Sequence, residues 1–279
     1  MANPLISCLM VTLPSAERFG LFQRSIASFQ RQTYLDRELV VIANGGDDTY
    51  RQCMRDHVAA LGDASIRWID IPGMLPLGAL RNKSLQWARG SIVCQWDDDD
   101  LYHPQRLEQQ YQALSASENE AVFLRDVMQL FTASRYLYWT NWHATPAGAF
   151  PGSLMCHTSA LLSYPETGAV AKLGEDSVVA SELLARGRVC ILGDVPHLYI
   201  YVTHGSNSWP EEHHQTLRRE LAVSKGFLRR HEAALRQGIS AIDFGPGPIS
   251  VHGSNGSAFV LENLPQPGGR PRLTDISSK

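Results

Sequence analysis

No C-x-x-C pair occurs among the five cysteines, Cys8, Cys53, Cys94, Cys156 and Cys190, so neither a zinc knuckle nor a dithiol redox centre has its usual spacing. Their odd number reads as reduced thiols. Cys8, Cys94 and Cys190 sit in apolar runs (LISCLMV, SIVCQW, RVCIL), where a free thiol behaves as a small hydrophobe, and this usage suits a cytoplasmic compartment. Long apolar stretches are missing too: none reaches the about 18 uninterrupted residues that a membrane span needs. The opening MANPLISCLMVTLPSAER has no basic segment ahead of its short apolar run and reads as a first strand instead of a signal peptide. Charge of one sign is scarce. A formal net charge of -3 over 279 residues gives no electrostatic reason to expect nucleic acid as a partner. The G-x-x-x-x-G-K-[ST] loop of P-loop kinases and ATPases is absent, as are the G-x-S-x-G elbow of serine hydrolases and any internal repeat.

What is present is an ordinary globular composition, 44% hydrophobic and 19% charged, with length for one large or two small domains. Residues 4–12 form a short apolar run closed by Pro14, the pattern of a buried strand. Phe19, Phe22, Ile26 and Phe29 follow at helical spacing. ELVVIA at 38–43 breaks at Asn44-Gly45-Gly46 and predicts a second strand. The cycle repeats with a helix over 49–61, a strand over 66–71, a helix over 77–88 and a strand over 92–96. Such alternation predicts a parallel sheet covered on both faces, with ligands gathered where the strands end. The second half reads as mixed: strands over 122–131 and 136–142, a helix after Asp176, strands over 188–192 and 197–202, and a long polar helix over 210–236. Beyond Gly238 the composition turns to Gly, Pro and Ser.

The strongest chemical signal is Asp97, Asp98, Asp99 and Asp100, placed directly after SIVCQW. Carboxylates this close raise one another's pKa and call for a cation. Hard oxygen donors favour magnesium, manganese or calcium, magnesium being held typically by one or two carboxylates plus substrate phosphates. A solvated acidic loop capping the helix that opens near Pro104 is the plain alternative. Glu175 and Asp176 form a second acidic pair, for which an ordinary helix N-terminus is likewise the plain alternative. Trp139, Trp142, His143 and Trp209 read either as an aromatic surface for an acceptor or as packing.

WDDDDLYHPQRL, preceded by LGALRNKSLQWARGSIVCQ, resembles the core of glycosyltransferase family 2. The resemblance covers most of residues 4–209, because the first strand with Thr12, VVIANGGDD, LRN at 80–82, the aspartates, GED at 174–176 and HGSNSW at 204–209 follow the family's order. It implies an α/β chain with the GT-A (Rossmann-like) fold, a mostly parallel central sheet flanked by helices and a mixed acceptor-side half. The expected domain is 1–238, with a nucleotide-binding half at 1–110 and an acceptor-binding half at 111–238, followed by a Gly/Pro-rich arm or linker at 239–279. Position by position, the resemblance implies that Thr12 and Asn44 border the nucleobase and that Arg81 reaches base or phosphate. Asp97 and Asp98 would face the ribose and nucleotide, Asp99 would hold the metal, and His204 would lie near metal or diphosphate. Asp176 would be the general base, with Glu175 its neighbour in the acceptor site. The family commonly carries paired acids in its second loop, where this chain has Ala43 and Asn44.

The implied activity is inverting transfer of a sugar from a nucleoside-diphosphate sugar, a UDP-sugar favoured, to a carbohydrate or glycoconjugate acceptor, with Mn2+ or Mg2+ as cofactor, as in bacterial-type polysaccharide synthesis. A lipid-linked acceptor would add peripheral contact at the inner face of a membrane. Two other readings remain open at this level: a sugar nucleotidyltransferase, although TLPSAERFG lacks the glycine-rich loop usual there, and a catalytically silent sugar- or nucleotide-binding protein of the same fold.

Overall fold

A computed structural model describes residues 3–116, 118–160 and 163–262. Strand and helix alternate at first: β1 (Ile6–Thr12), α1 (Ala16–Gln30), β2 (Arg37–Ala43), α2 (Asp48–Leu61), β3 (Ile66–Asp70), α3 (Leu77–Trp87) and β4 (Ile92–Gln95). Helix starts follow local chemistry. Ser15 caps α1 through a bond from the Arg18 N–H (3.4 Å), and Asp47 caps α2 by accepting from the Tyr50 N–H (3.1 Å). Gly62 ends α2 in the left-handed conformation at φ 62°, which costs glycine little.

The remainder comprises β5 (Leu101–Tyr102), α4 (Arg106–Ser115), β6 (Ala121–Leu124), β7 (Asp126–Phe131), β8 (Tyr136–Asn141), β9 (Phe150–His157), α5 (Glu175–Ala185), β10 (Val189–Leu192), β11 (Tyr199–Thr203), α6 (Glu211–Leu221), α7 (Lys225–Arg230), α8 (Glu232–Ile239), β12 (Ile249–Gly253) and β13 (Gly256–Leu261). A seven-stranded sheet runs β10-β6-β9-β4-β1-β2-β3, parallel except for β9, which is antiparallel to β4 and β6. Its strands are apolar on both faces because both are covered. Ile6, Cys8 and Met10 pack with Phe22, Ile26 and Phe29 of α1, whereas Leu9, Val40 and Ile42 pack with Leu80 of α3 and Val179 and Leu183 of α5. The strand order reverses at β1, whose neighbours are β2 and β4, and this opens a crevice beyond their carboxyl ends. A second, mixed sheet, β13-β12-β8-β7-β11-β5, packs Met128, Leu130, Ile200 and Val202 against α7 and α8. The mostly parallel central sheet and the mixed second half agree with expectation.

Several boundaries differ from the sequence reading. The apolar run at 122–131 is two strands in different sheets, parted at Arg125, whose backbone N–H instead bonds Leu192 O (2.9 Å). β9 was not expected, since Pro151-Gly152 hides its pattern. The predicted helix at 210–236 is three: Ala222 leaves helical geometry (ψ 130°), Val223 donates to Trp139 O (3.0 Å), and Ser224 restarts the helix by accepting from Phe227 N–H (3.2 Å). The expectation of an arm over 239–279 does not hold for 249–261, where β12 and β13 form a hairpin on β8 with Ile249, Val251, Phe259 and Leu261 buried. Arg135 fixes the approach to that hairpin by donating to the carbonyls of Phe244 (2.7 Å) and Gly247 (2.8 Å). Ile239, Ile242 and Phe244 ahead of the hairpin are buried too, and 263–279 lies outside the described residues. Among the described residues no helix is long and apolar enough to cross a membrane.

Candidate active site

The crevice at the strand reversal is lined by Arg18, Arg81, the four aspartates, Glu175, Asp176, Trp142, Asn207, Trp209 and His213, among others. The aspartate run is braced from below. Tyr102 Oη accepts from the Asp97 N–H (2.7 Å) and donates to its carbonyl (3.0 Å), which also accepts from Ser25 Oγ (2.8 Å). Under it the buried Arg106 guanidinium lies over the rings of Tyr102 (4.6 Å) and Tyr199 (4.7 Å) and donates to Gln95 O (2.9 Å).

Above that support the four carboxylates part company. Asp98, 1% exposed, accepts from Thr12 Oγ1 (2.6 Å) and Arg18 Nε (3.2 Å) and is paired with Arg18 Nη2. Burial pushes its pKa up, although Arg18 pulls the other way. Asp99 Oδ2 takes both Arg18 Nη2 (3.0 Å) and His204 Nε2 (3.0 Å). Burial raises its pKa, but Arg18 and His204 more than offset this and hold the carboxyl below its ordinary range. Asp97 accepts from Arg81 Nη2 (3.1 Å) and Gln95 Nε2 (3.2 Å). Asp100 turns away to β11, accepting from Val202 N–H (2.7 Å) and Tyr199 Oη (2.6 Å), and burial raises its pKa well above the carboxylate range.

Across the crevice, Gly174 at φ 88° leads into α5, whose first residues are Glu175 and Asp176. Glu175 is 2% exposed and accepts from Arg81 Nε (2.6 Å), so Arg81 bridges the aspartate run to the second acidic pair. Asp176 forms no such ion pair among the described residues: its Oδ1 accepts from the N–H of Ser177 (2.7 Å). Burial, then the nearby Glu175 charge, push its pKa up to about 6. Beside it Trp209 stacks on His213 at 4.2 Å, and a Cβ at Gly174 would lie 3.7 Å from the Trp209 ring.

Thr12, Arg81, Asp97, Asp98, Asp99, Glu175, Asp176 and His204 therefore come together, as the motif order suggested. Asn44 does not. Its amide is consumed by the 71–75 loop, donating to Ile71 O (2.9 Å) and Gly73 O (2.7 Å) and accepting from Leu75 N–H (3.2 Å). Trp142 and Trp209 line the crevice, but Trp139 is core, bonded to Asp126 (2.9 Å) and packed on Phe227. Arg18 escaped the sequence reading. A cation within the first turn of α1 sits where the helix dipole disfavours it, and that was the available hint of an anionic partner.

Among the described residues no group of three or more His, Cys, Asp or Glu is arranged to hold a metal. Asp99 and His204 share a contact and offer one hard oxygen and one imidazole. That pair suits manganese when a ligand's phosphates complete the shell, and it suits magnesium less well because of the imidazole.

The model of "Glycosyl transferase family 2" matches residues 11–146. The putative colanic acid biosynthesis glycosyl transferase WcaA of Escherichia coli K12 is 29% identical over 167 residues, 59% of this chain and 50% of that protein. The chain thus spans half the length of that curated relative. Among solved structures, S. aureus TarS 1-349 in complex with UDP-GlcNAc superposes with a TM-score of 0.57 at 14% identity, covering 86% of this chain and 68% of that one. The mannosyltransferase PcManGT from Pyrobaculum calidifontis, in complex with GDP-Man and Mn2+, gives 0.55 at 18% identity, with 85% and 65% covered. At these identities the two structures speak for the fold and the family match for residues 11–146, and both agree with the order of motifs: residues 11–146 match glycosyltransferase family 2, and the chain has the GT-A fold.

Proposed function

We propose that this chain transfers a sugar from a nucleoside-diphosphate sugar, a UDP-sugar favoured, to a hydroxyl of a carbohydrate or glycoconjugate, with inversion at the anomeric carbon. The observation that carries the reading is one crevice with two kinds of carboxylate: Asp99, held ionised by Arg18 and His204, and Asp176, with a pKa near 6. The first suits holding charge. The second suits taking a proton at neutral pH, because a general base works best when its pKa lies close to the operating pH.

In this reading residues 1–110 bind the donor and 111–238 shape the acceptor side. Thr12 acts through Asp98, and Asp97 and Asp98 face the nucleotide. Arg81, fixed between Asp97 and Glu175, offers its guanidinium to the leaving diphosphate, where charge builds as the glycosidic bond to phosphate breaks. Asp99 and His204 would hold Mn2+ or, less naturally, Mg2+. When bound, that cation supplies Lewis-acid stabilisation of the same leaving group. Asp176 accepts the proton of the acceptor hydroxyl as its oxygen attacks directly, with no covalent intermediate on the enzyme. Glu175 anchors Arg81 and raises the basicity of Asp176. Trp209 and His213 give the acceptor a flat apolar wall next to that base.

A role in polysaccharide synthesis is supported by the name of the relative WcaA. A cytoplasmic setting, with peripheral membrane contact where the acceptor is lipid-linked, belongs to the same proposal. The test is a thermal-shift panel of UDP, GDP, CDP, ADP and dTDP with and without Mn2+, since a ligand that binds only the native state raises Tm. One nucleotide should raise Tm in a manganese-dependent way, and Asp99→Ala should abolish that dependence. No shift with any pair would overturn the donor-site reading, and an unchanged shift in Asp99→Ala would overturn the metal assignment.

A further inference from the structure

We propose that Arg18 is the resident counter-cation of the donor site: it occupies the Asp99 oxygen that a divalent cation needs, and its guanidinium passes to the donor's diphosphate, so that cation and donor bind together. The inference rests on the donor-site reading above.

Arg18 leaves the first turn of α1 and spreads its whole fork over functional groups. Nε and Nη2 hold Asp98, Nη2 also holds Asp99 Oδ2 (3.0 Å), and Nη1 donates to Ser206 O (3.2 Å). The side chain is only 13% exposed, so its charge is poorly screened. Burial alone would lower its pKa, yet Asp98 and Asp99 raise it, which keeps it charged at every working pH. Asp99 Oδ2 is committed twice, to Arg18 and to His204 Nε2 (3.0 Å).

A divalent cation arriving alone must therefore meet a fixed guanidinium within hydrogen-bond distance of its ligand oxygen. Repulsion at that range is substantial even with the moderate dielectric of a protein edge. A diphosphate removes the conflict, because a guanidinium fork binds phosphate oxygens as well as carboxylates. Asp98 tolerates the loss, since Thr12 Oγ1 still donates to it at 2.6 Å. A brace that only held the fold would show none of this coupling between cation and nucleotide.

The test is calorimetry of Mn2+ alone, and of Mn2+ in the presence of the nucleoside diphosphate (UDP or GDP) that raises Tm, on wild type, Arg18→Gln and Arg18→Lys. Wild type should bind Mn2+ alone weakly and much more tightly with the nucleotide. Arg18→Gln should bind Mn2+ alone roughly tenfold or more tighter and lose roughly tenfold in nucleotide affinity, the sizes expected for deleting one poorly screened charge. Arg18→Lys keeps the charge without the fork; it should still exclude Mn2+ alone and lose part of the nucleotide enhancement. A folded Arg18→Gln that binds Mn2+ alone no better than wild type overturns the proposal, and should that variant fail to fold, full wild-type enhancement in Arg18→Lys does so. Absence of nucleotide binding in wild type would instead sink the donor-site reading beneath it.

Discussion

The crevice has two acidic walls made from the same kinds of side chain, and one carboxyl on each, Asp99 and Asp176, is kept in opposite electrostatic condition. On the β4 side, Asp97, Asp98 and Asp99 are met by two guanidiniums, a hydroxyl and an imidazole. On the α5 side Glu175 pairs with Arg81, and Asp176 accepts from the N–H of its own neighbour Ser177. Burial acts on both walls and raises carboxyl pKa values by disfavouring the charged form. Partners decide the outcome: Asp99 ends below its ordinary range and Asp176 near 6. Arg18 at Asp99 and Arg81 at Glu175 thus leave one carboxyl with a lowered pKa and the other, Asp176, with a raised one.

The sharpest break in that contrast is Asp176→Asn. If only the α5 wall handles the proton, transfer should fall by roughly 10²- to 10⁴-fold, the usual contribution of a general base, while the Mn2+-dependent Tm rise with nucleotide stays at the wild-type value. Transfer at the wild-type rate, measured as nucleoside diphosphate released with acceptor, would move the base elsewhere.

A smaller effect separates members of the β4 wall from one another. Asp100 belongs to the run by sequence but serves the fold, joining the aspartate loop to β11 through Val202 N–H and Tyr199 Oη. Asp100→Ala strands both donors in a buried place and should cost about 2–3 kcal/mol, an unpaired buried donor being worth about 1–3 kcal/mol. Chemical denaturation reads this directly. A loss of nucleotide affinity without loss of stability would instead count Asp100 among the ligand-facing acids.

How far the sequence discloses these walls depends on the range of each contact. β1, β2, β3 and β4 are legible as apolar runs bounded by turn formers, because strands covered on both faces carry that pattern locally. Phe150–His157 is not, since Pro151 and Gly152 interrupt a strand whose identity comes from lying between β4 and β6. The hairpin at 249–261 is an alternation of buried and exposed residues obscured by the Gly, Pro and Ser around it. Motif order points to Thr12, Arg81, Asp99, Glu175, Asp176 and His204, which do converge. It misplaces Asn44, because a side chain that clamps a loop and one that meets a ligand look alike in sequence. Arg18 and the separate duty of Asp100 stay hidden, for their partners lie 80 and 102 residues away.

The finest probe of the contrast is Glu175→Gln, which leaves Asp176 in place and changes only the charge beside it. A rate that needs the Asp176 carboxylate is full above about pH 6 and is lost as pH falls through that value. Burial is the first cause of the raised pKa and survives the substitution; the Glu175 charge is the second and does not. Neutralising Glu175 also weakens its hold on Arg81, whose charge favours ionised Asp176. The first change lowers the pKa and the second raises it, and the Glu175 charge is the larger of the two causes, so the acid limb of kcat against pH should move toward lower pH by less than about one unit, or about 1.4 kcal/mol. A limb that stays near 6 would mean that burial alone tunes Asp176. A limb that moves upward would mean that Glu175 acts chiefly by holding Arg81 within reach of Asp176, and the two walls would then be coupled through that one guanidinium instead of being set independently.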